Sequence, residues 1–245
     1  MKLLLINPNT SAAMTAGIAA AARQVAAPGT TLIARQPSFG PASIEGHFDD
    51  AFGAAGVAEQ AQLAAAEGFD ATVIACFGDP GLDAAREVLA GPVIGIAEAA
   101  FHAAALLATG FSVVTTMTRT CVIAERLVLR YGFERSCRGI HGTDIPVLDL
   151  EEIAGETVDR IEAAARQALA ADRSEAIVLG CAGMAALCRE LSTRLGVPVI
   201  DGVAVAVKFA ESLAALGLAT AKAGDYARPI PKHWAGWAAG FGGTQ

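Results

Sequence analysis

Charge is scarce in this chain of 245 residues. Asp, Glu, Lys and Arg together make up 18%, aromatic residues 6%, and histidine occurs only four times. Intrinsic disorder needs few apolar and many charged residues, and 53% hydrophobic content excludes it. The 18 basic residues are scattered and outnumbered by 25 acidic ones, a formal net charge of −7. They form no stripe of the kind a nucleic-acid groove requires, so no nucleic-acid partner is expected. The five cysteines are odd in number and contain no CxxC. A disulfide scaffold is therefore excluded, and a reducing, cytoplasmic setting is expected. No apolar run approaches the length of a membrane span, so no membrane partner is expected. The opening MKLLLINP reads as a strand rather than a signal peptide, because only four apolar residues follow the lysine. The dispersed histidines make no HExxH, and no metal is expected. No GxxxxGK[ST] or strand-anchored GxGxxG is present either, which removes the common phosphate loops.

What is abundant is alanine and glycine, 55 and 26 residues, about a third of the chain. The length suits one large domain or two lobes. Short, near-continuous apolar runs at 3–6, 31–34, 71–75, 92–96, 111–115, 176–179 and 197–200 read as buried strands, with a weaker strand in 136–148. Helical spacing lies between them, at 11–26, 51–67, 80–89, 97–108, 119–131, 151–171, 184–195 and 204–216. Residues 36–50, rich in Gly, Pro and polar groups, read as a long surface loop containing His47. Asp79 reads as the cap of the helix that begins at Pro80. Such alternation predicts an α/β protein with parallel sheets.

An internal repeat refines this. LLLI before Asn7 matches FSVV before Thr115, at an offset of 108. ATVIAC ending at Cys76 matches AIVLGC ending at Cys181, offset 105. GPVIG from Gly91 matches VPVID from Val197, offset 106. Three matches in one order at nearly one offset predict two similar lobes with parallel-sheet cores, related by a pseudo-two-fold, with the active-site cleft between them. Residues 1–96 plus part of 203–245 make the first lobe and 97–202 the second.

Ligands of parallel α/β lobes bind beyond the carboxyl ends of the strands. Asn7, Cys76, Thr115 and Cys181 all fall at such ends, so facing lobes bring one cysteine from each side. A thiolate on one face of a carbon next to a carbonyl can remove its proton, and a thiol on the other face can return one. That pair inverts a stereocentre without a cofactor. A thiol is only partly ionised at neutral pH, so its pKa is expected to be lowered, by backbone N–H groups near Gly78, Gly81, Gly180 and Gly183. Cys121, Cys137 and Cys188 read as small packing residues. Asn7 and Thr115 read equally as substrate contacts or as turn residues.

The stretches LLLINPNTS (3–11), GPASIEGHFDD (40–50), VIACFGDPG (73–81), VVTTMTRT (113–120), IVLGCAGM (177–184) and GVPVIDGV (196–203) resemble the aspartate/glutamate/hydantoin racemase superfamily, and within it the hydantoin and allantoin racemases. The resemblance spans about 200 of the 245 residues. It implies cofactor-independent racemisation by Cys76 and Cys181 and a homo-oligomer, commonly a tetramer or hexamer. It also implies substrate contacts from Asn7, Thr115 and Thr116, and from Phe77, Gly78, Asp79, Ala182 and Gly183 after the cysteines. Amino-acid racemases of the superfamily carry a small polar residue after each cysteine. Phe77 and Ala182 stand there instead, which points to 5-substituted hydantoins, with allantoin as the alternative. Arylmalonate decarboxylases keep one cysteine of the pair, whereas both are present here. Maleate isomerases, which use two, are a weaker alternative. Outside the superfamily, a cysteine hydrolase would need a histidine in reach. A redox dithiol would need the two sulfurs to meet. A two-lobed binding protein would use both cysteines for packing.

Overall fold

Leu3, Leu4, Leu5 and Ile6 have no solvent exposure at all. A strand apolar on both faces needs cover on both faces, and here it lies inside a parallel sheet. The computed structural model describes residues 1–151 and 155–241. Strand β1 (Lys2–Ile6) pairs with β2 (Thr31–Arg35) on one side and β3 (Ala71–Ile74) on the other. β4 (Val93–Gly95) completes the order β2-β1-β3-β4. The second sheet repeats this: β5 (Phe111–Thr115) lies between β6 (Cys137–Gly142) and β7 (Ala176–Leu179), and β8 (Val199–Asp201) gives the order β6-β5-β7-β8. Every pairing is parallel. The two sheets share one topology, as the offsets near 106 require.

Helices α1 (Ala12–Val25), α2 (His47–Ala64) and α3 (Leu82–Val88) belong to the first repeat, and α5 (Cys121–Tyr131), α6 (Gly155–Asp172) and α7 (Cys188–Leu195) to the second. Ser11 caps α1, its Oγ accepting from Met14 N at 3.1 Å. Helix α2 begins at His47, four residues before the expected start. Asp49 and Asp50, read as loop polarity, occupy its first turn, where carboxylates favour the positive end of the helix dipole. The expected start of α6 at 151 adjoins 152–154, outside the described residues. Residues 220–226 pack on α3: Thr220 Oγ1 donates to Gly91 O at 2.9 Å and Tyr226 OH to Asp83 Oδ1 at 3.2 Å. Trp234 is exposed, and the side chains of Trp237 and Phe241 lie outside the described residues. Among the described residues no helix is long and apolar enough to cross a membrane.

The last helix of each repeat crosses over. Helix α4 (Ile96–Leu107) follows β4 of the first sheet, yet Ala97, Ala100, Phe101 and Ala104 pack with Phe111, Val113, Val178 and Ile200 of the second. Helix α8 (Gly202–Ala215) follows β8, yet Val203, Ala206, Val207 and Ala210 pack with Leu3, Leu5, Ala71 and Val73 of the first. The two crossing helices touch near their starts. A Cβ on Gly202 would lie 2.4 Å from Ile96 O, closer than atoms can approach, so only glycine allows this contact.

Their caps differ. Asp201 caps α8 locally, accepting from Val203 N at 2.8 Å and Ala204 N at 3.2 Å. The equivalent position before α4 is Gly95, which has no side chain. Asp79 supplies the cap from a distance, Oδ1 accepting from Ala97 N at 3.1 Å and Oδ2 from Glu98 N at 3.0 Å. Tyr131 OH of the second repeat donates to the same carboxylate at 2.9 Å. A Cβ on Gly95 would sit 2.4 Å from the Asp79 carboxyl carbon, so the missing side chain is what admits it. The expectation that Asp79 caps the helix at Pro80 is therefore corrected. Helix α3 starts later, at Leu82, behind Gly81 at φ 68°.

Burial pushes the Asp79 carboxyl up to about 7, against the lowering effect of its hydrogen bonds from Glu98, Ala97 and Tyr131. The folded form thus holds a proton that the unfolded chain has already lost above the ordinary carboxylate range. Stability must fall as pH rises from that range through about 7 and then level off. Thermal melts of wild type and Asp79→Asn between pH 5 and 8 test this. The variant is expected to melt lower at pH 5, having lost about 1–2 kcal/mol of capping, and to show a flatter pH dependence. An equal slope in both proteins would contradict it.

Candidate active site

Each cysteine lies two residues past the end of its strand, on the same backbone turn. Asp79 N donates to Cys76 O at 3.0 Å, and Met184 N donates to Cys181 O at 3.1 Å, three residues on in both cases. The N–H two residues on, that of Gly78 or Gly183, favours the thiolate of the respective cysteine, and Met184 N–H does the same at Cys181. The residue between crosses the cleft. Phe77 packs edge-on against Phe101, with centroids 5.6 Å apart at 84°, inside the core of the second sheet. Ala182 is buried in the core of the first. Each cysteine turn is thus anchored in the opposite lobe, and neither following side chain is available to grip a carboxylate.

Cys76 and Cys181 line one cavity of about 60 Å³ between the sheets' carboxyl ends. Asn7, Phe77, Gly78, Thr115, Thr116 and Ala182 line it too. Asp79 and Gly183 do not. Asp79 is turned to α4, and Gly183 reaches the site only through its N–H at Cys181. Asn7 lies in the cavity wall, but its amide holds the following loop: Nδ2 donates to Asn9 Oδ1 at 2.8 Å and Thr15 Oγ1 at 2.9 Å. Thr115 Oγ1 donates to Gly180 O at 2.8 Å, joining the ends of β5 and β7. Both side chains are thus held by hydrogen bonds within the cavity wall.

Sequence reading missed several further lining residues, among them Asn9, Ile44, Asp50 and Val147. Val147 N donates to Glu45 Oε1 at 2.7 Å, and Ser11 Oγ donates to Glu151 Oε1 at 2.5 Å, so two polar bonds link the lobes over the cavity. The acidic run GHFDD signalled polarity, but not that one of its carboxylates turns inward.

The expected lowering of the cysteine pKa values is not found. Burial pushes the Cys76 thiol well above its ordinary range, and the Gly78 N–H only partly opposes it. A negative Cys181 and the carboxylates Asp50 and Asp79 push it further up. Burial likewise pushes Cys181 up to about 11, against Gly183 and Met184 N–H, with Glu45 adding to the rise. Desolvation outweighs a few N–H dipoles when the charged neighbours are acidic. Cys121, Cys137 and Cys188 are half-buried, and Cys137 and Cys188 pack beside core clusters. Among the described residues, no three His, Cys, Asp or Glu side chains are grouped to hold a metal.

The sequence profile described as Asp/Glu/Hydantoin racemase matches residues 3–210. The chain belongs to that family. It is 48% identical over 236 residues to a hydantoin racemase of Rhizobium meliloti, covering 96% of this chain and 98% of that one. It is 45% identical over 245 residues to a hydantoin racemase of Pseudomonas sp. (strain NS671), covering 100% and 98%. Among solved structures, an allantoin racemase from Klebsiella pneumoniae superposes with a TM-score of 0.96 at 53% identity, covering 98% of each chain. The protein is accordingly an enzyme, a racemase, and the cavity between its lobes is its candidate centre.

Raised thiol pKa values have a direct readout. The rate of Cys181 alkylation by iodoacetamide, followed by peptide mass spectrometry on the ligand-free protein, is expected to keep climbing through pH 9 and 10. A plateau below pH 8 would show that the site lowers the thiol pKa after all.

Proposed function

We propose that the protein racemises 5-substituted hydantoins at C5, with Cys76 and Cys181 as opposed general base and acid. The observation that carries this reading is the duplicated cysteine turn: two like groups, on equivalent backbone, at one cavity. In the forward direction the thiolate of one cysteine removes the C5 proton, and the electron pair moves toward the C4 oxygen. The thiol of the other then delivers its proton to the opposite face of C5, and the electron pair returns. One thiol has become a thiolate and the other the reverse, so the next turnover runs in the opposite sense or follows proton exchange with solvent. No redox change occurs and no leaving group departs.

The electrostatics support a single shared charge. Ionising Cys181 raises the pKa of Cys76, so a state with both ionised is disfavoured and one thiolate faces one thiol. A high thiol pKa makes the thiolate a stronger base toward a weakly acidic C–H, at the cost of its population. Backbone N–H groups near the sulfurs are suited to meet the developing oxygen charge. Residues 1–96 with part of 203–245 serve as one jaw of this site and 97–202 as the other. The expected contacts from Asn7, Thr115 and Thr116 belong to the same proposal. The 53% identity to an allantoin racemase favours a second reading, in which the C5 substituent is the ureido group of allantoin.

The test uses one enantiomer of 5-benzylhydantoin and one of allantoin, each with wild type, Cys76→Ser and Cys181→Ser. Wild type is expected to abolish the optical rotation of at least one substrate. Each serine variant is expected to racemise it about 10²–10⁴-fold more slowly, the range of a lost general acid or base. A variant racemising at the wild-type rate would refute the two-base assignment.

A further inference from the structure

Asp50 Oδ1 is the one buried side-chain oxygen or nitrogen among the described residues that lacks a hydrogen-bond partner. Asp50 lies in the first turn of α2, and it lines the cavity that holds Cys76 and Cys181. Its neighbour Asp49 is engaged, accepting from Glu45 N at 3.0 Å, so the two acids of this turn have separate tasks. A Cβ placed on Gly78 would lie 3.1 Å from Asp50 Oδ1. Gly78, Cys76 and Asp50 line the same cavity, and the Asp50 charge acts on the Cys76 thiol, so the orphaned oxygen sits near the reacting sulfur.

An unpartnered buried carboxylate oxygen is costly, and folded proteins satisfy nearly all such groups. A cost of this kind in a binding cavity is relieved when a ligand brings the missing donor. Such a site also rejects a ligand that lacks the donor, because the buried group then stays unpaired. Burial raises the Asp50 carboxyl pKa, and the nearby His47 partly opposes this. The rise reflects an acid partly withdrawn from water at the wall of the cleft.

We infer that Asp50 is a specificity-determining residue whose Oδ1 accepts a hydrogen bond from the ring N–H adjacent to the reacting carbon. This rests on the proposed reading of the substrate as a hydantoin-type ring. In such a ring C5 must lie against the cysteines, and the atom bonded to C5 on one side is N1, which carries a hydrogen. An acceptor next to the Cys76 sulfur meets N1–H, whereas the far imide N–H lies across the ring. The site would therefore favour cyclic ureides over cyclic imides or lactones of the same size.

The test compares hydantoin with succinimide, an imide ring of the same size with CH₂ in place of N1–H. Both are achiral at the carbon concerned and neutral at pH 7. Calorimetry on wild type is expected to show hydantoin bound about 10- to 100-fold more tightly, the range for a hydrogen bond to a charged acceptor. Asp50→Leu keeps the bulk and removes the acceptor, and is expected to bring the ratio below about 3. Asp50→Asn, which retains a carbonyl oxygen, is expected to fall between them. Melting of Asp50→Leu is expected at or above the wild-type temperature, since an unsatisfied buried group has been removed. Should Asp50→Leu not fold, the intermediate ratio of Asp50→Asn decides. A wild-type ratio near one, or an unchanged ratio in both variants, overturns the inference. C5 deuteration of hydantoin by wild type is scored separately. Exchange without N1–H discrimination would leave the racemisation reading standing and remove Asp50. Asp50-dependent discrimination without exchange would do the reverse.

Discussion

The exchange of α4 and α8 between the two sheets is the packing constraint on which the site depends. Each parallel sheet is apolar on both faces and must be covered on both. The helix that covers one face of each sheet comes from the end of the other repeat. That swap leaves the carboxyl ends of β1, β3, β5 and β7 facing one another. It also explains some of the abundant alanine. Ala97, Ala99, Ala100 and Ala104 of α4 and Ala206 and Ala210 of α8 are all essentially unexposed. Larger side chains there would push the helices apart, and the Gly202–Ile96 approach with them. Phe77 and Ala182, set in opposite cores, carry the same interlock into the cysteine turns.

The chemistry follows from burial rather than from local activation. Backbone N–H groups favour both thiolates, yet desolvation and acidic neighbours push both thiol pKa values above the ordinary range. A desolvated site with acidic neighbours raises the basicity of whichever thiolate forms and opposes a second one. Such a site gives up the large thiolate population that a nucleophilic cysteine needs, which is acceptable for the proton-moving task proposed for these two residues. The orphaned Asp50 oxygen belongs to the same pattern, a local cost to stability retained at a place where a ligand can relieve it.

Much of this was legible in the residues. The runs 3–6, 71–75, 111–115 and 176–179 read as buried strands because parallel strands lack polar alternation, and their recurrence implied two alike sheets. Cys76 and Cys181 stood out because the repeat placed them equivalently. Long-range partnerships were not legible. Asp79 looked like a local cap because Asp-Pro begins many helices, and nothing nearby in sequence shows that Gly95 lacks a cap for α4. The start of α2 was set four residues late because Asp49 and Asp50 suit a loop and a first helical turn equally well. The sign of the cysteine pKa shift was missed because glycine N–H groups are visible in sequence, whereas the depth of burial that outweighs them is not.

The central claim is that two opposed thiols share one proton transfer, and the isotope pattern at early conversion tests it most directly. An enantiopure 5-substituted hydantoin is turned over in D₂O, and the two enantiomers are separated at low conversion. Two opposed bases predict solvent deuterium at C5 of the product enantiomer, while the recovered starting enantiomer keeps its protium. Equal deuteration of both enantiomers from the start would mean that a single group serves both faces, and would contradict the account.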